Sequence, residues 1–179
     1  MVYILLADGF EEAEALVPAD LLRRAGIETA LVSLEGEWAV GGRGMAVRTD
    51  LTLPQVDLTR AEMIVLPGGR TGVQGLGREP AVEALVQEAV DRRLWVAAIC
   101  AAPTLLARWG QLRGRRAVCY PGMEGDLRGA LPQMEESVVV DGKLITSRAA
   151  GSAFDFGLAL VEALAGPERA REVRHGIHY

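Results

Sequence analysis

The chain is short of the two residue types on which most metal and imidazole chemistry rests. It holds two cysteines, Cys100 and Cys119, and two histidines, His175 and His178, both within the last five positions. So few ligands exclude a zinc or iron–sulfur centre built from Cys and His, and no metal is expected. Two cysteines without a framework of pairs also argue against a disulfide scaffold and point to a reducing, cytoplasmic setting. A Cys–His protease or amidase needs an imidazole base, yet Ala101 follows Cys100, and the two histidines read as a mobile or docked tail. Positive charge is in deficit as well: 19 Lys and Arg against 24 Asp and Glu give a net −5. That excludes the basic patch a nucleic-acid or anionic-membrane surface needs. A bilayer-spanning run is missing too, since the best candidate, Leu94 to Ala107, contains Pro103 and has the length of a core segment. The apolar N-terminus, Met1 to Ala7, lacks a basic leader and runs into Asp8, Glu11 and Glu12. It reads as a first strand, not a signal peptide.

What is present is an alternation of apolar runs with helical patterns. Over 179 residues this predicts one domain, 1–179, of α/β class with a mainly parallel sheet. Strands are expected at Val2–Ala7, Ile27–Ser33, Met63–Leu66, Leu94–Ile99 and Val118–Tyr120. Helices are expected at Glu11–Ala25, with Pro18 bending it or marking a break, and at Pro80–Arg92, Pro103–Arg108 and Ser152–Leu164. Gly166-Pro167 closes the last of these and starts a short terminal helix. Glu37–Leu53 reads as short strands and turns, and Asp141-Gly142 between β-formers reads as a type I′ hairpin.

In open α/β sheets the site lies at the carboxyl ends of the strands. Cys100 stands there, between the apolar run Leu94–Ile99 and the helical pattern that follows. A strand turning into a helix places it against unpaired N–H groups and the positive end of the macrodipole, which lowers a thiol pKa and makes a nucleophile. The alternative is a small apolar residue filling a tight turn. Two further strand ends, Asp8-Gly-Phe-Glu-Glu-Ala-Glu14 and Pro67-Gly68-Gly69, converge on the same edge and favour the nucleophile. Glu11 and Glu12 fit carboxylates complementing a helix N-terminus. Glu14 lies on the flank of the apolar stripe; facing inward beside the sulfur, it would have a raised pKa and could donate or shuttle a proton. Gly69 can approach closely enough for its amide to pair with that of Ala101 as an oxyanion hole.

These segments, in order, carry a resemblance. Ala7-Asp-Gly-Phe-Glu-Glu-Ala-Glu14, Pro18-Ala-Asp-Leu-Leu-Arg-Arg-Ala-Gly26, Leu66-Pro-Gly-Gly69, Ala98-Ile-Cys100-Ala-Ala-Pro103, Thr146-Ser-Arg148 and Gly151-Ser-Ala-Phe-Asp-Phe156 resemble the ThiJ/PfpI family. More narrowly, they are similar to its Parkinson-disease-linked glyoxalase/deglycase branch. The resemblance runs from Val2 to about Gly166. It implies a flavodoxin-like sandwich, usually a homodimer, with Cys100 as nucleophile, Glu14 as the acid touching its sulfur, and Gly69 and Ala101 as oxyanion-hole amides. It further implies basic residues near the pocket at a dimer interface, matched by Arg24 and Arg43. Two departures stand out. The protease branch has His where this chain has Ala101, and many members carry a His near the nucleophile where this chain has Tyr120, which can donate a hydrogen bond to substrate but shuttles protons poorly near neutrality. The implied activity is a cofactor-free glyoxalase or deglycase acting on methylglyoxal, glyoxal or glycated protein. The rivals are a redox sensor or oxidation-activated chaperone using the same cysteine, and an amidohydrolase. Cys119 is expected to be a buried structural thiol, with pairing to an oxidised Cys100 as the alternative.

Overall fold

A computed structural model describes residues 1–179. Strand β1 (Val2–Leu6) is followed by α1 (Glu12–Arg24), β2 (Thr29–Ser33), a hairpin of β3 (Trp38–Val40) and β4 (Ala46–Arg48), and the short β5 (Leu51–Thr52). Then β6 (Met63–Leu66) leads into α2 (Arg70–Arg78) and α3 (Pro80–Asp91), and β7 (Trp95–Ile99) into α4 (Pro103–Arg108). The last third holds β8 (Arg116–Ala117), β9 (Leu131–Pro132), β10 (Val138–Asp141), β11 (Leu144–Ser147) and α5 (Ala153–Gly176). No helix is long and apolar enough to cross a membrane.

Seven strands form one sheet in the order β10-β11-β7-β6-β1-β2-β5. Every pairing is parallel except β10 with β11. Strands buried on both faces read as unbroken apolar runs, which is why β1 and β6 were visible in the sequence. Alternation sorts their side chains into two cores. Tyr3, Leu5, Ile64, Leu66, Val96 and Ala98 face α2, α3 and α4. Val2, Ile4, Leu6, Met63, Val65, Ala97 and Ile99 face α1 and α5. The expected α/β sandwich with a mainly parallel sheet is therefore the architecture observed.

Two local expectations need correction, one is narrowed, and one helix was not expected. Val118–Tyr120 is not a strand: the short pairing lies two residues earlier, Arg116–Ala117 against Leu131–Pro132. The Val118 and Tyr120 amides go instead to the Thr146 hydroxyl and the Cys100 carbonyl, so no ladder forms. The hairpin pairs Asp141 with Leu144, so its two loop residues are Gly142 and Lys143. Only Gly142 has positive φ, which fits type II′ and not type I′. Pro18 sits inside α1 without breaking it, although it offers no N–H to the carbonyl of Glu14 four residues back. Finally, α2 was not foreseen at all. Gly72, Gly75 and Gly77 weaken helix propensity, but a Cβ at Gly72 would stand 2.7 Å from the Phe10 nitrogen and one at Gly75 2.8 Å from the Ala7 Cβ. Those glycines let α2 pack directly on the turn after β1. The break after Leu164 is observed, at Gly166 with φ 84° inside α5.

Candidate active site

Cys100 follows β7 and carries φ 65°, in the left-handed region that L side chains rarely adopt. Such a conformation costs roughly 1–3 kcal/mol and persists only where its surroundings hold it. Two backbone bonds do so. The Cys100 amide donates to the Ser147 carbonyl at 2.9 Å, and the Tyr120 amide donates to the Cys100 carbonyl at 2.8 Å. The turn also changes where the sulfur goes. Continuing the β7 alternation would send Cys100 to the α2–α4 face, yet it packs with the core beneath α1 and α5. There it meets Glu14.

Glu14 lies in the first turn of α1 and is 1% exposed. Its Oε2 accepts a hydrogen bond from the Gly68 amide at 2.9 Å, and the Cys100 thiol and the Ala150 amide both face the carboxyl. Oε1 has no partner of ordinary geometry. Burial, reinforced by the nearby Glu11 charge, pushes the carboxyl from 4.5 up to about 7 despite those donors. Glu14 thus faces the interior. Gly68 is the contact surface between the two groups: a Cβ there would overlap Glu14 Oε2 and stand 2.6 Å from Cys100 Cβ and 3.1 Å from Sγ.

The amides of Ala101 and Gly69 face the sulfur. Gly69 has φ 89°, and a Cβ on it would overlap the Gly9 carbonyl and lie 2.6 Å from the Glu11 amide nitrogen. Only glycine allows the β6–α2 turn to come this near. The thiol, however, is not acidified as the sequence led us to expect. Burial pushes it from 9.0 up to about 12, joined by the facing Glu14 carboxyl, against which the two amides are the weaker influence. The short α4 begins only at Pro103, so the helix end offers little to offset the loss of water.

A profile of the DJ-1/PfpI family matches residues 1–163. The chain belongs to the DJ-1/PfpI family. Within it the chain sides with the DJ-1 branch: it is 39% identical over 176 residues to protein dj-1beta of Drosophila melanogaster, covering 97% of this chain and 94% of that one. The crystal structure of Drosophila DJ-1beta superposes with a TM-score of 0.95 at 38% identity, over 98% of this chain and 96% of that one. A deglycase of Pyrococcus abyssi is 34% identical, covering 91% of this chain and 98% of its own. A glutathione-independent glyoxalase of Caenorhabditis elegans is 29% identical, covering 95% and 91%.

The remaining positions that the family motifs single out are placed less centrally. Tyr120 touches the cysteine turn through its backbone, while its side chain stands 48% exposed. Arg43 lies at the β3–β4 turn, its guanidinium 3.8 Å from Glu11 and its amide 2.7 Å from a Glu12 oxygen. Arg24 pairs with Asp20 at 2.7 Å, ten residues along α1 from Glu14 and so about 15 Å away. This chain alone does not bring Arg24 to the sulfur. Glu12 opens α1, as its reading as a helix N-terminal carboxylate expects, and is buried, with Oε2 unpartnered. Cys119 is a free thiol buried on the α2–α4 face, opposite to Cys100. The tail is docked: Tyr179 stacks on Phe154 at 5.2 Å and donates to Asp155 at 3.0 Å. No three His, Cys, Asp or Glu side chains are grouped to hold a metal ion.

Sequence reasoning missed two serines. Ser147 Oγ donates to the Ser137 carbonyl and lies 2.9 Å from Ser152 Oγ. The Ser152 hydroxyl in turn holds both the amide and the carbonyl of Ala149. This pair fixes the turn that carries Ala150 to Glu14. Both serines sit inside motifs already quoted, but nothing in their spacing indicates that the hydroxyls meet.

Proposed function

We propose that this chain is a cofactor-free, cysteine-dependent glyoxalase or deglycase acting on methylglyoxal, glyoxal or their protein adducts. The observation that carries the reading is the buried Glu14 carboxyl set against Cys100 across Gly68, with the Gly69 and Ala101 amides facing the sulfur. The relatives named as deglycase and glyoxalase add support. In this reading Cys100 sulfur attacks the aldehyde carbon of methylglyoxal as its proton passes to Glu14. The alkoxide forms against the two amides, then takes that proton to give a hemithioacetal. Glu14, again a carboxylate, removes the hydrogen from the same carbon, and the electron pair moves to the neighbouring ketone as an enediolate. Glu14 returns the proton to the second carbon while the hydroxyl proton of the first passes to the neighbouring oxygen, leaving a thioester that water cleaves to lactate and free Cys100. A carboxyl with pKa about 7 suits both directions of transfer near neutrality. Tyr120 is assigned to a substrate oxygen. Arg24 and Arg43 are assigned to the pocket rim of a homodimer, which light scattering at micromolar protein tests.

The experiment is NMR detection of lactate from methylglyoxal by wild type, Cys100→Ser and Glu14→Gln. Lactate from the wild type alone supports the reading; no lactate from the wild type refutes it. A second reading, a redox sensor or oxidation-activated chaperone, draws on the same geometry. A protonated Glu14 and two amides are suited to hold the oxygens of an oxidised Cys100. Peroxide titration with mass spectrometry separates the two: selective gain of two oxygens at Cys100 without dicarbonyl turnover favours the sensor.

A further inference from the structure

A cavity of about 430 Å³ lies at the carboxyl ends of β1 and β2, lined by Leu6, Ala7 and Asp8 from the first and Ser33, Leu34 and Glu35 from the second. Its other walls are α2 and the β3–β4 hairpin. It shares no residue with the Cys100 site: Glu14, Gly68, Gly69, Cys100 and Ala101 are all outside its lining. The carboxyl edge of a parallel sheet is where open α/β folds bind ligands, and the volume is that of a small-molecule site.

The rim of the cavity is Trp38, 57% exposed. The other two tryptophans each carry a cation over the ring, Lys143 at 4.3 Å from Trp95 and Arg108 at 5.8 Å from Trp109. Trp38 has none. The charged lining is Asp8, Glu35 and Glu79 against Arg78, a net −2. Asp8 accepts from the Val40 amide and Glu79 from the Ala81 amide, while Glu35 takes part in no ion pair or hydrogen bond. The floor is apolar, from Leu6, Ala7, Leu34 and Ala39. An open indole face, an apolar floor and surplus negative charge together select one ligand chemistry. A phosphate or carboxylate is repelled, a neutral apolar molecule leaves the charge unanswered, and an organic cation satisfies all three.

We propose that this cavity is a second ligand site, taking a small organic ammonium ion with an apolar body, its cationic end over Trp38 and beside Glu35. The test uses 3-phenylpropylammonium as probe, with neutral 3-phenylpropan-1-ol and anionic 3-phenylpropanoate as controls of the same shape. Binding is followed through the tryptophan indole N–H signals of ¹⁵N-labelled protein. The ammonium ion should shift the Trp38 signal saturably, bind about tenfold more tightly than the alcohol, and weaken as salt rises. The carboxylate should show no saturable shift. Trp38→Ala should weaken the ammonium ion about tenfold and Glu35→Gln about threefold, followed through the remaining signals, whereas Trp38→Phe should retain binding. Trp38 and Glu35 are exposed, so these variants leave the core intact. Cys100→Ser should bind as wild type, which keeps this result independent of the fate of the glyoxalase reading. Equal affinity for all three probes, or undiminished binding by Trp38→Ala, overturns the proposal.

Discussion

Burial of Glu14 should make the protein less stable as pH rises through neutrality, and Glu14→Gln should remove that dependence. In the unfolded chain the carboxyl loses its proton near 4.5; in the folded chain it keeps it to about 7. Between those values the folded state binds more protons than the unfolded one, so unfolding free energy falls with rising pH. At about 1.4 kcal/mol per pH unit, a displacement from 4.5 to about 7 amounts to about 3 kcal/mol, a large part of a typical 5–15 kcal/mol. That stability is fully present at pH 4 and gone above pH 8. Glutamine keeps the shape and the acceptor for the Gly68 amide but cannot ionise. Asp57 and Asp141, whose neighbours hold them below the usual carboxylate range, are common to both proteins and cancel in the comparison. Cys100 does not enter, because its thiol is protonated below pH 8 in both states. The assay is urea unfolding by far-UV circular dichroism from pH 4 to 8, at one protein concentration so that any association contributes equally. The variant should gain about 3 kcal/mol on the wild type between the two ends. Parallel stability curves would show that Glu14 ionises in the folded protein as it does in water, and the proton-shuttle argument would fall with them.

Two further substitutions probe how the site is held. Gly68→Ala puts a methyl group between Glu14 and Cys100; dicarbonyl turnover should drop at least about a hundredfold, with a stability loss of roughly 1–3 kcal/mol, and near-normal turnover would mean the two groups need not touch. Ser152→Ala leaves the Ala149 amide short of its acceptor, at a cost of roughly 1–3 kcal/mol. By slackening the turn that carries Ala150 to Glu14 it should also move the pH at which Cys100 is alkylated upward. An unchanged pH profile with the same loss of stability would make Ser152 purely structural.

Much of the fold was legible because parallel strands buried on both sides leave unbroken apolar runs, as in Val2–Leu6 and Met63–Leu66. α2 was not, because Arg70–Arg78 carries three glycines whose purpose exists only in three dimensions: Gly72 and Gly75 contact the turn after β1, and Gly77 packs against Leu105 and Arg108 of α4. Val118–Tyr120 misled for the opposite reason. Its residues are strand-formers, but the amides of Val118 and Tyr120 are taken by a threonine hydroxyl and by the cysteine turn. Strand ends and helix phase allowed a pairing of Cys100 with Glu14, and the family motifs implied it. The direction of the thiol shift was not legible. A helix N-terminus argues for acidity, and only the burial seen in the fold decides against it.

That reversal bears on how such a site can work. A solvent-exposed thiolate of low pKa would exist without a partner, and Glu14 would be dispensable to it. Here sulfur and carboxyl are both raised by the same burial, so near neutrality the thiol keeps its proton while the carboxyl takes one up and releases it. Two amides face the sulfur and those of Gly68 and Ala150 face the carboxyl, so a charge on either group meets main-chain donors. A carboxyl that gains and loses a proton near neutrality is what transfer from sulfur and on to substrate carbon requires. The donors that balance it are all main chain. At Gly68 and Gly69 the backbone approach forbids a Cβ and so leaves a trace in the sequence. At Ala101 and Ala150 the amide acts whatever the side chain, so substitutions there should be tolerated by the chemistry wherever the turn keeps its shape.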